Sequence, residues 1–143
     1  MLIPSLADPC LKLKIWPFSG TLAEFCQPEN IVAVETYPAE FYEHLGLSFS
    51  FPTRKSKCRQ AERQTFASHM LSWADERNLK LEYSLVNAIR DGFGSSITGE
   101  DRFDAVVGLY GMINIIQGDC PLDEPAIPLI RNVEGWIFGQ SVS

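Results

Sequence analysis

Two carboxylates far apart in the sequence stand where carboxylates can do chemistry. The first, Glu35, ends an unbroken, mostly β-branched apolar run at residues 31–34 (IVAV), which is typical of a strand covered on both faces. Because ligands of open parallel sheets bind beyond the carboxyl ends of strands, Glu35 is well placed to face a site. A structural role beside the next helix, as a capping partner or an ion-pair member, is equally compatible with this position.

The second carboxylate, Asp104, lies in the first turn of a predicted apolar helix. Helical stepping places Asp104, Gly108, Gly111 and Ile115 on one stripe. Glycine inside a helix costs about 1 kcal/mol relative to alanine, so we expect the two glycines to let this helix lie very close to the sheet. The helix N-terminus stabilises a carboxylate at the head of this stripe, but burial without a metal, a cation or a donor is costly.

Asp101 lies almost one turn before Asp104, and Glu100 adjoins it. Glu35 and Asp104, with Asp101, could form a cluster of hard oxygen ligands for Mg²⁺ or Mn²⁺. Two such ions activate a water molecule and stabilise the leaving oxygen of a phosphodiester. In the alternative interpretation, Glu100 and Asp101 only complement the helix dipole.

Five basic residues crowd the segment 54–63, which opens a long predicted helix. Three of them, Lys55, Arg59 and Arg63, step by four and share a face. Cations at a helix N-terminus oppose its dipole, which favours a purpose such as phosphate contact. We therefore predict that these three residues contact nucleic acid, with a solvated helix face as the alternative.

The 143 residues carry 12 basic and 18 acidic side chains, so the formal net charge is −6. This length and the 45% apolar content fit one folded domain over residues 1–143, and exclude a disordered, collagen-like or coiled-coil chain. The negative charge argues against non-specific nucleic-acid binding over the whole surface, although a local basic patch or a bound metal can override it.

The four cysteines are far apart and form no C-x-x-C pair, which favours reduced, packed thiols in a cytoplasmic protein. The longest apolar stretch, residues 105–113, is about half of a membrane span, and no signal peptide is visible. We therefore expect no membrane partner.

Hydrophobic periodicity predicts an α/β chain. A strand at 11–15, a short capped helix at Thr21 and Glu24, and a strand at 31–34 form a βαβ unit with parallel strands. Predicted helices follow at residues 39–45, 53–77, 81–89 and about 98–117, with glycine stops at Gly46 and Gly118. Two strands do not make a stable sheet. Either strands are missed, or another chain or a segment that this chain lacks completes the sheet.

Several blocks agree in order with one bacterial family. They are residues 34–40 (VETYPAE), 45–47 (LGL), 90–94 (RDGFG), 99–109 (GEDRFDAVVGL) and 133–140 (VEGWIFGQ). Over about residues 15–140 the chain resembles the C-terminal portion of a family of predicted RNase H-like nucleases, catalogued mainly as a domain of unknown function.

The resemblance implies an RNase H-like fold, in which a mixed sheet is flanked by helices and acidic residues meet at its centre around a divalent metal. Glu35 matches the carboxylate at the end of the fourth strand, Asp104 matches the one on the C-terminal helix, and Asp101 is a helper. The first-strand aspartate has no counterpart, so the chain is expected to lack the N-terminal strands of the fold.

The leading hypothesis is a metal-dependent, nuclease-type phosphodiester hydrolase that holds Mg²⁺ or Mn²⁺ with Glu35, Asp104 and Asp101. The alternative is a catalytically inactive binding or assembly module, which the missing first carboxylate and the shortage of strands favour. Its unpaired sheet edge predicts a homo-oligomer or a partner chain that completes the sheet. A thiol enzyme rests on the free cysteines alone.

Overall fold

A computed structural model describes residues 11–18, 20–49, 56–120, 122–124 and 126–140. The chain divides into two compact units, of which the first comprises residues 1–36 and 118–143 and the second residues 37–117. The single domain predicted for residues 1–143 stays a prediction.

The first unit contains the predicted βαβ element. Strand β1 (Lys12–Ile15) and strand β2 (Asn30–Ala33) are joined by the one-turn helix α1 (Leu22–Phe25). The strands are parallel, with each residue of β1 opposite the residue 18 positions later, from Lys12 and Asn30 to Ile15 and Ala33. This pairing confirms the predicted parallel arrangement.

Helix α1 begins with the predicted capping box. The Thr21 hydroxyl accepts a hydrogen bond from the Glu24 amide at 3.3 Å, and the Glu24 carboxylate accepts one from the Thr21 amide at 2.8 Å. Two of the free amides at the helix start are satisfied in this way. The box therefore fixes where the chain leaves the β1 end and turns towards β2.

The core of the first unit forms around Trp16, which is 1% exposed. Its ring packs edge-to-face on Phe138 with the centroids 5.5 Å apart, and its indole nitrogen donates to Glu124 at 3.3 Å. Beyond β2, Glu35 forms an isolated parallel bridge with Ile137. A π-helical turn, Ile130–Glu134, precedes that bridge partner.

The second unit is helical in its described residues. Its helices are α2 (Pro38–His44), α3 (Gln60–Gln64), α4 (Ala67–Glu76), α5 (Tyr83–Arg90) and α6 (Thr98–Gln117). The predicted positions of α2, α5 and α6 are confirmed to within two residues at nearly every end. Gly46 ends the α2 region with φ +66°, the left-handed conformation predicted for it.

The single helix predicted over residues 53–77 is wrong within its described part. It divides into α3 and α4 at Thr65 and Phe66. The Thr65 hydroxyl and amide both bond to the Glu62 carbonyl, and the Phe66 amide bonds to the Arg63 carbonyl. These i to i+3 bonds tighten the turn between the two helices. Residues 53–55 lie outside the described residues.

Helix α6 forms the centre of the second unit's core. Phe103 and Val107 are fully buried, and Tyr110 stacks on Trp73 with centroids 4.1 Å apart. A Cβ atom added at Gly111 would lie 2.1 Å from the Phe41 ring. Close packing at this glycine is present, but the neighbour is α2 and not the sheet that was predicted.

The RNase H-like fold class is wrong for the described residues. They are rich in helix and contain one two-stranded parallel sheet instead of a mixed sheet. Apart from β1 and β2, the only strand-like pairing in the described ranges is the bridge between Glu35 and Ile137. The physical reason is that the apolar spacing between residues 38 and 117 is helical, so this segment offers no strand to extend the sheet.

Three cysteines are free thiols, namely Cys26, Cys58 and Cys120, while Cys10 lies outside the described residues. No helix in the described part of the chain combines the length and apolar character that crossing a bilayer requires. The helix with the longest apolar stretch, α6, carries three buried glycines, and its buried residues also include Asn114.

Candidate functional site

Asp104 is held at the start of α6 by two donors. The Tyr42 hydroxyl donates to Oδ1 at 2.5 Å, and the Lys57 ammonium donates to Oδ2 at 2.6 Å. The same ammonium lies 3.3 Å from the Glu100 carboxylate and 5.6 Å from the centroid of the Tyr42 ring. Asp104 therefore has the cation and the donor that its position requires, and we call these four residues the Asp104 cluster.

Contacts within the cluster shift the pKa values of Glu100, Lys57 and Tyr42. A hydrogen bond from the Cys58 thiol, together with the Lys57 ammonium, lowers the pKa of Glu100 below its ordinary value. Partial burial opposes ionisation of Lys57, but its bonds to Asp104 and Tyr42 raise its pKa overall. Burial and the bond to Asp104 raise the pKa of Tyr42. The ammonium is thus charged and the phenol neutral at neutral pH.

We expect the free energy of unfolding to fall as the pH rises above about 10, the ordinary pKa of tyrosine. Burial raises the pKa of Tyr110 to about 12, and the pKa of Tyr42 is raised as well. A folded-state pKa above the unfolded value gives stability that is complete below the unfolded pKa and is lost as the pH rises through the folded one. Urea unfolding at a series of alkaline pH values measures this loss.

The tyrosine contribution can be separated from that of Lys57, which has the same sign. Tyr42→Phe and Tyr110→Phe are each expected to flatten the fall in stability above about pH 10, because phenylalanine has no proton to lose. Tyr83→Phe is the exposed control. Identical alkaline profiles for the wild type and both buried variants would contradict the prediction.

Tyr42 also connects the Asp104 cluster to a cavity of about 580 Å³ within the second unit. The cavity is formed by one side of α2 and the chain that follows it, and is lined by Ala39, Tyr42, Glu43, Gly46, Leu47, Ser48 and Phe49. Phe49 packs edge-to-face on Tyr42 with centroids 5.1 Å apart. This lining is mostly apolar, with Glu43 as its charged member.

Glu35 has separate surroundings in the first unit. Its backbone carbonyl accepts a hydrogen bond from the Phe138 amide at 2.8 Å, and its side chain is exposed. It lines a cavity of about 350 Å³ together with Glu134, Trp136 and Gln140. The Trp136 indole nitrogen is buried and has no acceptor among the described residues. Glu134 belongs to the sequence block 133–140, but nothing in the sequence indicated that it would line a cavity together with Glu35.

The predicted metal ligands are divided between the two units, and the metal site stays a prediction. Glu35 belongs to the first unit, whereas Asp101 and Asp104 belong to the second. Asp101 is exposed in the first turn of α6, and both Asp104 oxygens already accept hydrogen bonds. No group of three or more His, Cys, Asp or Glu side chains suited to a metal occurs in the ranges that the structure describes.

The predicted basic face is not formed by its described members. Arg59 is exposed at the N-cap of α3, whereas Arg63 is 2% exposed. The Arg63 guanidinium donates to the carbonyls of Gly92 at 2.8 Å and Gly94 at 2.7 Å, and also to the Lys57 carbonyl. Arg63 therefore stabilises the turn after α5 from inside, and Lys55 lies outside the described residues.

A different surface of the first unit lies along β1, on the side that no described strand pairs with. The Lys12 amide donates to the Glu29 carbonyl, just before β2, at 2.9 Å. The Trp16 amide donates to the Ala33 carbonyl at the end of β2, also at 2.9 Å. Because the bonding side alternates along a parallel strand, the peptide groups of Leu13 and Ile15 point away from β2. Their side chains are 65% and 55% exposed. We call these peptide groups and side chains the outer edge of β1.

The Asp104 cluster and the outer edge of β1 are thus the two candidate sites, one in each unit. Comparison with family models, curated proteins and solved structures finds no match to the chain. The properties of both sites follow from their own contacts, exposure and charge.

Proposed function

We propose that the chain is a non-catalytic assembly module, which takes up an additional β-strand from another polypeptide at the outer edge of β1. The observation that carries this proposal is the exposure of Leu13 and Ile15 on a strand that pairs with β2 alone among the described residues. An isolated two-stranded sheet is marginal in water, and an unpaired edge is a template for another strand.

An added strand supplies the pairing that β1 lacks among the described residues of the first unit. It satisfies the peptide groups of Leu13 and Ile15 that point away from β2, and it covers their side chains. Fully burying such a side chain stabilises by about 1.5–3 kcal/mol, and more than half of each side chain is still open to water. Strand addition therefore combines main-chain pairing with a hydrophobic gain.

The Asp104 cluster supports the non-catalytic part of the proposal. Lys57 already forms ion pairs with Asp104 and Glu100, so the carboxylate that was expected to hold a metal has a partner within the chain. The Lys57 ammonium lies between two carboxylates at the start of α6. It stabilises this end of the helix and its contact with Tyr42.

The test uses a neutral, extended pentapeptide, Thr-Val-Thr-Val-Thr, which carries a fluorescent label. We expect it to bind the wild-type chain and the Leu13→Val variant, and to lose measurable binding to Leu13→Pro. Proline removes the outward amide without breaking a bond to β2, and edge strands tolerate proline where the amide faces solvent. Fluorescence anisotropy measures binding, and circular dichroism checks the fold. Equal binding to both Leu13 variants, or none to the wild type, contradicts the proposal.

A metal-dependent phosphodiester hydrolase acting on nucleic acid is the second candidate. One observation favours it, namely that the Glu100 and Asp104 carboxylates already converge on a single cation, Lys57. A hard divalent ion such as Mg²⁺ or Mn²⁺ that displaced the lysine would meet two oxygen ligands. Asp101 and Glu35 remain the other predicted ligands.

Thermal unfolding with and without Mn²⁺ separates the two candidates. The hydrolase predicts that Mn²⁺ raises the Tm of the wild type, and that Asp104→Asn and Glu35→Ala each remove the rise. The assembly module predicts no rise in the wild type. Lys57→Ala is the informative control, because it leaves two carboxylates without their cation and should gain affinity for Mn²⁺ under either candidate.

A further inference from the structure

From the charge of β1 we infer that the strand taken up at its outer edge is acidic, with Glu or Asp at alternate positions and apolar residues between them. The inference rests on the proposed function and names its partner. It follows from the four residues of β1, Lys12-Leu13-Lys14-Ile15, and from the way a strand presents its side chains.

Successive side chains of a strand point to opposite faces of the sheet. Leu13 and Ile15 therefore share one face of β1, and Lys12 and Lys14 share the other. Lys12 is exposed, and the Lys14 ammonium lies 5.7 Å from the centroid of the Phe25 ring, which belongs to the helix on that side. A strand added at the outer edge meets an apolar face and a basic face together.

A second copy of β1 is a poor occupant of this edge. Two antiparallel registers bring Leu13 of one copy against the apolar face of the other, with Leu13 opposite Leu13 or Leu13 opposite Ile15. In the first register Lys12 stands opposite Lys14 of the other copy, and in the second Lys14 stands opposite Lys14. Like charges directly opposite each other destabilise a strand pair, whereas opposite charges stabilise it.

An acidic strand meets the opposite condition. Its apolar residues pair with Leu13 and Ile15, while its carboxylates stand opposite Lys12 and Lys14. The formal net charge of the chain is −6, which repels an acidic peptide at long range. At physiological salt the Debye length is about 8 Å, so the two lysines in direct contact decide the preference rather than the distant charges.

The experiment compares three labelled peptides of one length, Glu-Val-Glu-Val-Glu, Thr-Val-Thr-Val-Thr and Lys-Val-Lys-Val-Lys, at about 0.15 M salt. On the wild type we expect the acidic peptide to bind between about twofold and thirtyfold tighter than the neutral one, from two cross-strand ion pairs. The basic peptide should bind weakest. The double variant Lys12→Glu and Lys14→Glu should reverse the order.

The outcomes separate the inference from the proposed function. Equal affinity of all three peptides, lost in Leu13→Pro, overturns the acidic partner and keeps strand addition. Absence of binding by any peptide, the neutral one included, overturns strand addition itself. Sedimentation velocity covers the remaining occupant, since self-association of the wild type that Leu13→Pro abolishes would make a second copy the partner and overturn the inference.

Discussion

Arg63→Met is expected to lower the free energy of unfolding by about 3 kcal/mol or more, because buried acceptors left without a donor cost about 1–3 kcal/mol each. The guanidinium is buried and donates to the carbonyls of Gly92, Gly94 and Lys57. Methionine keeps much of the side-chain volume and supplies no donor. The three carbonyls then lose their partner inside the second unit.

Urea unfolding measures the effect, with Arg59→Met as the matched control. Arg59 is exposed, so its substitution should change the free energy of unfolding by less than about 0.5 kcal/mol. Arg63→Lys should lie between the wild type and Arg63→Met, since an ammonium lacks the planar fork that meets several acceptors at once. Equal effects at positions 59 and 63 would show that the buried guanidinium is not what stabilises the turn after α5.

Gly111→Ala is the second substitution with a large expected effect. An added Cβ would lie 2.1 Å from the Phe41 ring, far inside van der Waals contact. Alanine is favoured over glycine inside a helix by about 1 kcal/mol, whereas forcing extra atoms into a packed core typically costs about 1–3 kcal/mol and occasionally more. Because this overlap is severe, we expect the clash to win and α2 and α6 to separate.

This prediction is tested by whether Gly111→Ala lowers or raises the Tm. Ser72→Ala in α4 is the control, since Ser72 is exposed and alanine there should be neutral or slightly stabilising. Thermal unfolding of the two variants gives the comparison. A higher Tm for Gly111→Ala than for the wild type would mean that α2 does not approach α6 at the glycine.

Local patterns predicted the elements whose signals lie within a few residues of each other. The alternation in β1, the capping box at Thr21 and the helical spacing of α6 each act over one or two turns, and all three are present in the structure. Close packing at Gly111 was predictable for the same reason, since helical stepping places the glycines on one stripe, but its partner α2 was not.

The two errors in the fold have different causes. The long predicted helix divides where the Thr65 hydroxyl donates a hydrogen bond to the Glu62 carbonyl. Hydrophobic periodicity carries no information about such a side-chain hydrogen bond. The RNase H-like sheet was expected from a family resemblance, and the chain beyond β2 has helical spacing instead.

The sequence predicted that Asp104 needs a partner, but not which residues supply it. Position alone indicated that Asp104 needs a cation or a donor, and both are present as Lys57 and Tyr42. Their positions 47 and 62 residues earlier in the chain are set by tertiary packing. Lys57 stood in the predicted basic run, where phosphate contact was expected rather than a bond within the chain.

Amide hydrogen exchange in β1, resolved residue by residue, decides whether the outer edge is open to another strand. Strand addition requires slow exchange at Lys14 and Trp16, whose amides face β2, and fast exchange at Leu13 and Ile15, whose amides face away. Saturating Thr-Val-Thr-Val-Thr should then slow Leu13 and Ile15 alone. An open edge would be contradicted if, in the dilute chain without peptide, the amides of Leu13 and Ile15 exchanged as slowly as the amide of Trp16.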